Sequence, residues 1–473
     1  MPLEVLTPDE ASSRDSGLRH NILSPLETLS QSISAIAPTT SPALTIPLVF
    51  ALAGNGTWLA YLCACGATLL MALCIARFAR TSASPGSLYN YATDLLSPLG
   101  GRTAGWALLL AYIATGASVV GGFLNYARVL IPAAHAVPGW LIALVATSAA
   151  TYFAYHDVQT SARMMLWIEA ASVSMIGLVI LALLFRNGLH IDAPQTTLHA
   201  VTPAGVRLGI VLALFSFVGF ESATTLGHEA RNPLRTIPRA VIQSAILAGL
   251  FFLTCAYVET LGFRQLHQDL GASQAPFRAL SSLAHLPVFG PLIDIGAFIS
   301  MFAGTLACIT AAARVLLKMA QDGLVHSHLG RAHSKNETPH IAVLACGLAV
   351  LLLSAGLSIS LAAHGVSGAD IGAQIYAQMG SLAVYGFITA YFLVAAALPF
   401  YLRRRTQLTP AALILSIAAA LAMLLAMAGT LYPVPAPPYN YLPYCYLAYL
   451  AAGLAASLAT YKSDSNQRSN PPL

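Results

Sequence analysis

Leu214-Phe-Ser-Phe-Val-Gly-Phe-Glu-Ser-Ala-Thr-Thr-Leu-Gly-His-Glu-Ala-Arg-Asn-Pro-Leu-Arg-Thr-Ile-Pro238 begins as an apolar helix and loses that character half-way. Gly219 and Glu221 stand where an uninterrupted membrane span would carry aliphatic residues. A carboxylate at that depth costs roughly 2.5–3.5 kcal/mol on insertion scales, so it faces a cavity or a partner and marks a pathway. The neighbouring glycine allows the helix to open. Open backbone at membrane depth is tolerated only around a protein-lined cavity. The stretch therefore reads as half of a binding site inside a membrane protein.

The composition agrees. Of 473 residues, 57% are hydrophobic and 9% charged, with a mean hydropathy of +0.70. A soluble domain carries about 25% charged residues. Apolar segments near 20 residues favour helices over a β-barrel. Twelve spans are expected: 28–53, 57–79, 103–131, 139–155, 163–185, 205–228, 238–262, 288–319, 340–360, 371–399, 408–430 and 441–461. The polar residues 1–25 lack a signal-peptide pattern and read as a mostly disordered cytoplasmic tail. Residues 462–473 form a second cytoplasmic tail. Alternating the loops places 18 of the 23 Lys and Arg residues inside, leaving Arg128, Arg186, Arg207, Arg264 and Arg278 outside. That bias sets the orientation. It also explains the net charge of +5 without a nucleic-acid partner. The partners expected are a small molecule and the lipid bilayer. The seven cysteines have no metal-like spacing and read as small buried side chains.

The first span is also interrupted. Its centre is Ser34-Ala-Ile-Ala-Pro38-Thr39-Thr40-Ser41-Pro42-Ala43. Pro42 removes a backbone donor and disfavours helix at Ser41, and Pro38 does the same at Ala37. The result is either a plain proline kink or a ligand site built from freed carbonyls and hydroxyls. Two broken spans five helices apart favour the second reading, because they match an inverted repeat with a midplane site. The repeats would cover about 28–185 and 205–399, within a ten-helix core of 26–405. Two further helices would fill 406–461.

The run Phe215 to Glu221, followed by Glu229, Asn232-Pro233, Arg235 and Ile237-Pro238, resembles the sixth helix and following loop of amino acid–polyamine–organocation permeases. Ser84 to Tyr91, Ala313 to Gly323 with Thr338-Pro339, and Tyr385 to Arg405 resemble further stretches of that family, in the same order. The resemblance implies an all-α membrane protein of the leucine-transporter type, alternating access, and a cargo that is an amino acid or amine. It implies no enzymatic activity and no cofactor. Carbonyls near Pro38, Phe215 and Val218 would take the cargo's ammonium. Thr39, Thr40, Ser41 and Ala43 would take a carboxylate. Phe215 stands at the aromatic gate. Relatives have a glycine-rich first break, whereas this chain has Thr40-Ser41-Pro42, with one donor fewer; amines and polyamines stay open as cargo. Helix 5 carries Glu169 and no lysine. A proton could use Glu221 or Glu169. A sodium ion could use helix 1 carbonyls with Thr305 or Thr310.

Glu221 could carry a proton, or accept hydrogen bonds from hydroxyls and hold the helix open. Tyr112 could donate to the substrate, or simply pack. Arg163 lies six residues from Glu169, a poor spacing for a helix pair. Glu259 and Asp294 lie near the outer ends of their helices and are expected to be solvated or paired. Gly116, Gly121 and Gly122 read as close helix packing. His326, His328, His333 and His340 read as a solvated loop, with no metal site. Ser84-Pro85-Gly86 and the Arg231 to Arg239 stretch are inner-gate candidates. No nucleophile triad or phosphate loop is present, which argues against an enzyme or ATP-driven pump.

Overall fold

The computed structural model describes residues 21–82, 88–93, 98–156, 158–188, 191–227, 229–331, 338–432 and 434–469, without the side chains of residues 98, 158–166, 168 and 459–469. Residues 1–20 of the expected tail, the Ser84–Gly86 loop, His333 and the Arg163 side chain lie outside that description. In chain order the α-helices are α1 (Pro25–Ile36), α2 (Ile46–Ala53), α3 (Thr57–Ala79), α4 (Leu88–Thr93), α5 (Pro98–Leu130), α6 (Gly139–His156), α7 (Val158–Arg186) and α8 (Ala193–Thr196). They continue as α9 (Pro203–Phe215), α10 (Pro233–Leu266), α11 (Pro276–Leu283), α12 (Phe289–Gln321), α13 (His340–Ala363), α14 (Gly368–Arg404), α15 (Pro410–Leu431) and α16 (Leu442–Ser469). Among the described residues the β-structure is one isolated bridge, Leu23 with Ala230.

Nine helical stretches among the described residues are long and apolar enough to cross a membrane. One of them, Pro25–Ala79, holds the first two expected spans. The two spans it leaves out are α6, of 18 residues, and the broken α9. The expected spans thus fall on helix, apart from the breaks after Ile36 and Phe215.

Local chemistry sets the helix starts. Ser24 opens α1 with a capping box: its hydroxyl accepts from the Glu27 N–H, and the Glu27 carboxylate accepts from the Ser24 N–H. The Thr202 and Thr409 hydroxyls cap α9 and α15 by accepting from the Gly205 and Ala412 N–H groups, each threonine followed by a proline whose missing N–H would have had no partner there. Helices α5, α12 and α14 are the most enclosed, and α15 and α16 the least. Leu344, Leu348 and Leu352 repeat every four residues on an exposed stripe of α13. In a bilayer such a stripe faces lipid tails.

Glycines let the central helices touch. A Cβ on Gly121 of α5 would lie 2.7 Å from the Tyr376 nitrogen of α14, and one on Gly122 would lie 2.7 Å from the Met301 sulfur of α12. The small-residue reading of this helix therefore holds.

Three expectations are corrected. Cys63 and Cys445 are exposed and Cys65 is half-buried. Hydropathy does not separate core from lipid-facing positions, because lipid is as apolar as the core. Residues 21–24 of the expected disordered tail are ordered: the Leu23 N–H donates to the Glu229 carbonyl (2.9 Å) and the Arg231 N–H to the Leu23 carbonyl (2.8 Å). Helical backbone also resumes at Ser41 despite Pro42, as a π-turn over Ser41–Thr45. Pro42 sits in its first turn, where a missing N–H leaves no bond broken.

Candidate functional site

Both expected breaks are present, and they touch. Helix α1 ends at Ala37, which is left-handed (φ 49°) and turns its N–H back onto the Ile33 and Ser34 carbonyls. Pro38 follows and offers no N–H to the carbonyls behind it. Helix α9 ends at Phe215. From Ser216 onward the chain winds in i→i+3 turns, with Ser216, Phe217 and Val218 donating to Ala213, Leu214 and Phe215. Gly219 has φ +98°. A Cβ there would lie 2.8 Å from the Ala35 carbonyl carbon. Only glycine accommodates both that backbone angle and that approach. The second half of the sixth span is a short 3₁₀ stretch, Ser222–Leu226, where a continuing helix was expected. Thr224 and Thr225 donate to the Glu221 and Ser222 carbonyls and hold this tighter winding.

The two broken spans are tied on the side of the N-terminal segment, here called the tail side. The Ser32 hydroxyl donates to the Phe220 carbonyl (2.7 Å) and accepts from the Ala223 N–H (3.0 Å). The Ser222 hydroxyl donates to the Gln31 carbonyl (3.1 Å). Further along, buried Arg314 of α12 donates two hydrogen bonds of 2.8 Å to the Glu229 carboxylate. Arg231, from the gate candidates, donates to the Asn21 carbonyl (3.2 Å).

Glu221 is fully buried. Its two carboxylate oxygens accept from the Tyr112 hydroxyl (2.7 Å) and the Tyr391 hydroxyl (2.6 Å). The carboxylate thus pins α5 and α14 to the second break, and the Tyr112 hydroxyl is committed to it. Tyr391→Phe leaves one buried acceptor without its donor. It should lower stability by about 1–3 kcal/mol, read as a drop in unfolding temperature that exceeds the drop for Tyr385→Phe.

Glu169 of α7 stands behind the first break. It accepts from the Ser300 hydroxyl (2.5 Å) and from the Thr39 hydroxyl (3.4 Å). Thr305 donates to the Met301 carbonyl of its own helix. On the residue just before it, a Cβ on Gly304 would meet Ala37 at 3.1 Å, so α12 lies directly against this break. Phe215 packs its ring edge-on to Tyr376 (5.6 Å) and over Gly380 of α14. The Tyr376 hydroxyl bonds Thr45 (2.6 Å) and the Tyr126 hydroxyl donates to the Ala43 carbonyl (3.4 Å). Pro38, Thr39, Thr40, Ser41, Ala43, Phe215, Val218 and Gly219 are thus gathered at the two breaks.

Ser34, Thr40, Ser41 and Thr115 have buried hydroxyls without a hydrogen-bond partner among the described residues. Such groups are rare because an unmade buried hydrogen bond costs about 1–3 kcal/mol. Behind the second break a cavity of about 20 Å³ is walled by apolar side chains, including Phe217, Val218 and Ile388.

Sequence reasoning missed Tyr391, Ser300, Tyr61 and Ser32. Ser32 carried a usable signal, since Ser30, Ser32 and Ser34 recur in an otherwise apolar span. A lone tyrosine in a long span carried none. Asp294 is buried and paired with Arg278 of α11, within the range expected. Glu259 is neither solvated nor paired: it is fully buried, with both oxygens lacking partners among the described residues. Its position near a helix end suggested water, but α10 turns this face inward.

The family model for amino acid permease matches residues 28–462. The branched-chain amino acid permease BcaP of Bacillus subtilis is 29% identical over 64% of this chain and 67% of its own length. Cationic amino acid transporter 4 of Mus musculus is 24% identical over 83% of this chain and 62% of its own. The low-affinity putrescine importer PlaP of Escherichia coli is 27% identical over 62% of this chain and 66% of its own. The matches thus span about two thirds of the length of these relatives. The structure of MhsT, solved in complex with L-phenylalanine, superimposes with a TM-score of 0.54 at 15% identity, covering 87% of this chain and 99% of that one. That likeness is one of fold, the leucine-transporter type with its paired broken helices. Matched over nearly its whole described length, this multi-pass membrane protein belongs to the amino acid permease family.

Proposed function

We propose that the protein is a secondary transporter that moves an amino acid or a related organic amine by alternating access, and that it is not an enzyme. The observation that carries this is the meeting of two broken helices beside the unpartnered hydroxyls of Ser34, Thr40 and Ser41 on the first of them. A helix that ends at a break offers carbonyls and negative dipole to an ammonium. The helix that starts after it offers positive dipole to an anion. In this reading Phe215 and Val218 carbonyls and those before Pro38 take the ammonium, while Thr39 to Ala43 take a carboxylate where the cargo has one. The relatives' names include branched-chain amino acids, cationic amino acids and putrescine, which supports the class and leaves the member open.

The transporter sits in the cell membrane with both termini cytoplasmic, following the Lys and Arg bias. Its tail-side ties then close the cytoplasmic path. Coupling is to a proton, with Glu221 and Glu169 as the buried carboxylates at the two breaks. Uptake into proteoliposomes should rise as the external pH falls, and Glu221→Gln should abolish that dependence. A variant with unchanged pH dependence would remove Glu221 from this role.

A ligand that binds only the folded state raises its apparent stability. Amino acids and their decarboxylated amines should therefore raise the unfolding temperature of the purified chain. Ser41→Ala should weaken a carboxylate-bearing cargo about tenfold while sparing the plain amine, since a hydrogen bond to a charged group contributes about 1.5–3 kcal/mol. Equal losses would overturn the carboxylate assignment. Failure of every amino acid and amine to stabilise the chain or to accumulate would overturn the transporter reading.

A further inference from the structure

Glu259 of α10 is unlike the other buried acids. Glu27, Glu169, Asp192, Glu221, Glu229 and Asp294 each accept at least one hydrogen bond. Glu259 accepts none among the described residues, and neither oxygen reaches a basic group. Arg278 is committed to Asp294 and to the Val129 carbonyl. A carboxylate taken out of water without a partner is penalised by several kcal/mol, and within a membrane such a group marks a functional path.

Its position says which path. Phe252, Cys255 and Glu259 share one face of α10, at i, i+3 and i+7, and all are fully buried. Phe252 packs its ring against Phe217 (5.3 Å) and Tyr61 (6.1 Å). The Tyr61 hydroxyl bonds Ser216, where α9 opens (2.9 Å). Glu259 is therefore about 10 Å, two helical turns, beyond the second break. It lies away from the tail side, since Ser244, about two turns before Phe252, bonds the Phe220 carbonyl. From across the site Tyr126 reaches the Ala43 carbonyl at the first break. Glu259 thus lies on the same α10 face that packs, at Phe252, against Phe217 of the second break, two turns further from the tail side.

We propose that Glu259 receives a second positive charge on the cargo, so that the protein selects amines and amino acids with a cationic far end over neutral ones of equal length. This rests on the transporter reading. A cargo held by its first ammonium at the breaks, with a flexible four-carbon stem like that of lysine, spans the gap together with the glutamate's own side chain. The buried carboxylate then gains the ion pair that it lacks.

The test uses the purified full-length chain and its thermal stabilisation by four probes: lysine, norleucine, 1,5-diaminopentane and 1-aminopentane. Wild type should bind lysine at least about tenfold more tightly than norleucine, and the diamine more tightly than the monoamine, as expected for a charge-assisted contact. Glu259→Gln should bring each pair to within about twofold while norleucine binding persists, which also shows that the variant is folded. Glu259→Leu, which removes the polar group altogether, should behave alike. A lysine preference that survives in both variants, or equal affinities in wild type, overturns the inference alone. Absence of stabilisation by all four probes in wild type overturns the transporter reading, and the inference with it.

Discussion

Arg314→Ala should destabilise the protein by about 3–5 kcal/mol, because it leaves the Glu229 carboxylate buried and unpaired. The guanidinium and the carboxylate are 1% and 2% exposed, so no water replaces the lost partner. The two bonds of 2.8 Å are parallel and bidentate, a geometry that a lysine ammonium cannot reproduce. Arg314→Lys should therefore recover only part of the loss. The Arg314→Met, Glu229→Leu double variant should be more stable than Arg314→Ala, since removing both charges removes the unpaired one. Thermal unfolding of the four proteins decides the matter. If Arg314→Ala unfolds within a degree of wild type, the pair is not the tie described here. The double variant keeps the backbone carbonyl at position 229 that accepts from the Leu23 N–H, so that tie should survive the substitution.

Gly219→Val should abolish transport and cost stability on two separate grounds. Its φ of +98° is costly for a β-branched residue, and the side chain would meet the Ala35 backbone. Backbone strain and overpacking each contribute about 1–3 kcal/mol. Gly54 separates the two terms. It also has a positive φ, +53°, but an added Cβ there meets nothing within 4 Å. Gly54→Ala should show the strain alone, with uptake retained. Uptake by Gly219→Val at the wild-type rate would mean that the two breaks need not touch during the cycle.

The helical layout was legible because spans of this length and hydropathy have few alternatives. The breaks were legible because proline and glycine change the backbone itself, whatever surrounds them. Where α9 opens was less so. Gly219 marked the break, but the winding already tightens at Ser216, where the Tyr61 hydroxyl meets the chain. Side-chain partners were the least legible. Glu221 was readable as buried, yet the choice of Tyr112 and Tyr391 as its donors depends on how α5 and α14 cross. Glu259 was misread for the same reason. Its distance from a helix end suggested water, and only packing shows which way a helical face turns.

The bridge between Leu23 and Ala230 joins points more than two hundred residues apart. A ribosome adding about 5–20 residues per second finishes Ala230 on the order of ten seconds or more after Leu23. For that interval α1 lacks its seat on the second broken span. The Ser32 hydroxyl and the broken backbone after Ala37 must wait beside other partners, such as translocon walls, lipid headgroups or a membrane chaperone. The first helix to be made is thus among the last to be fixed. A mutation that weakens the second broken span would then be felt as a biogenesis defect in the first, with the nascent N-terminal segment left open to proteolysis.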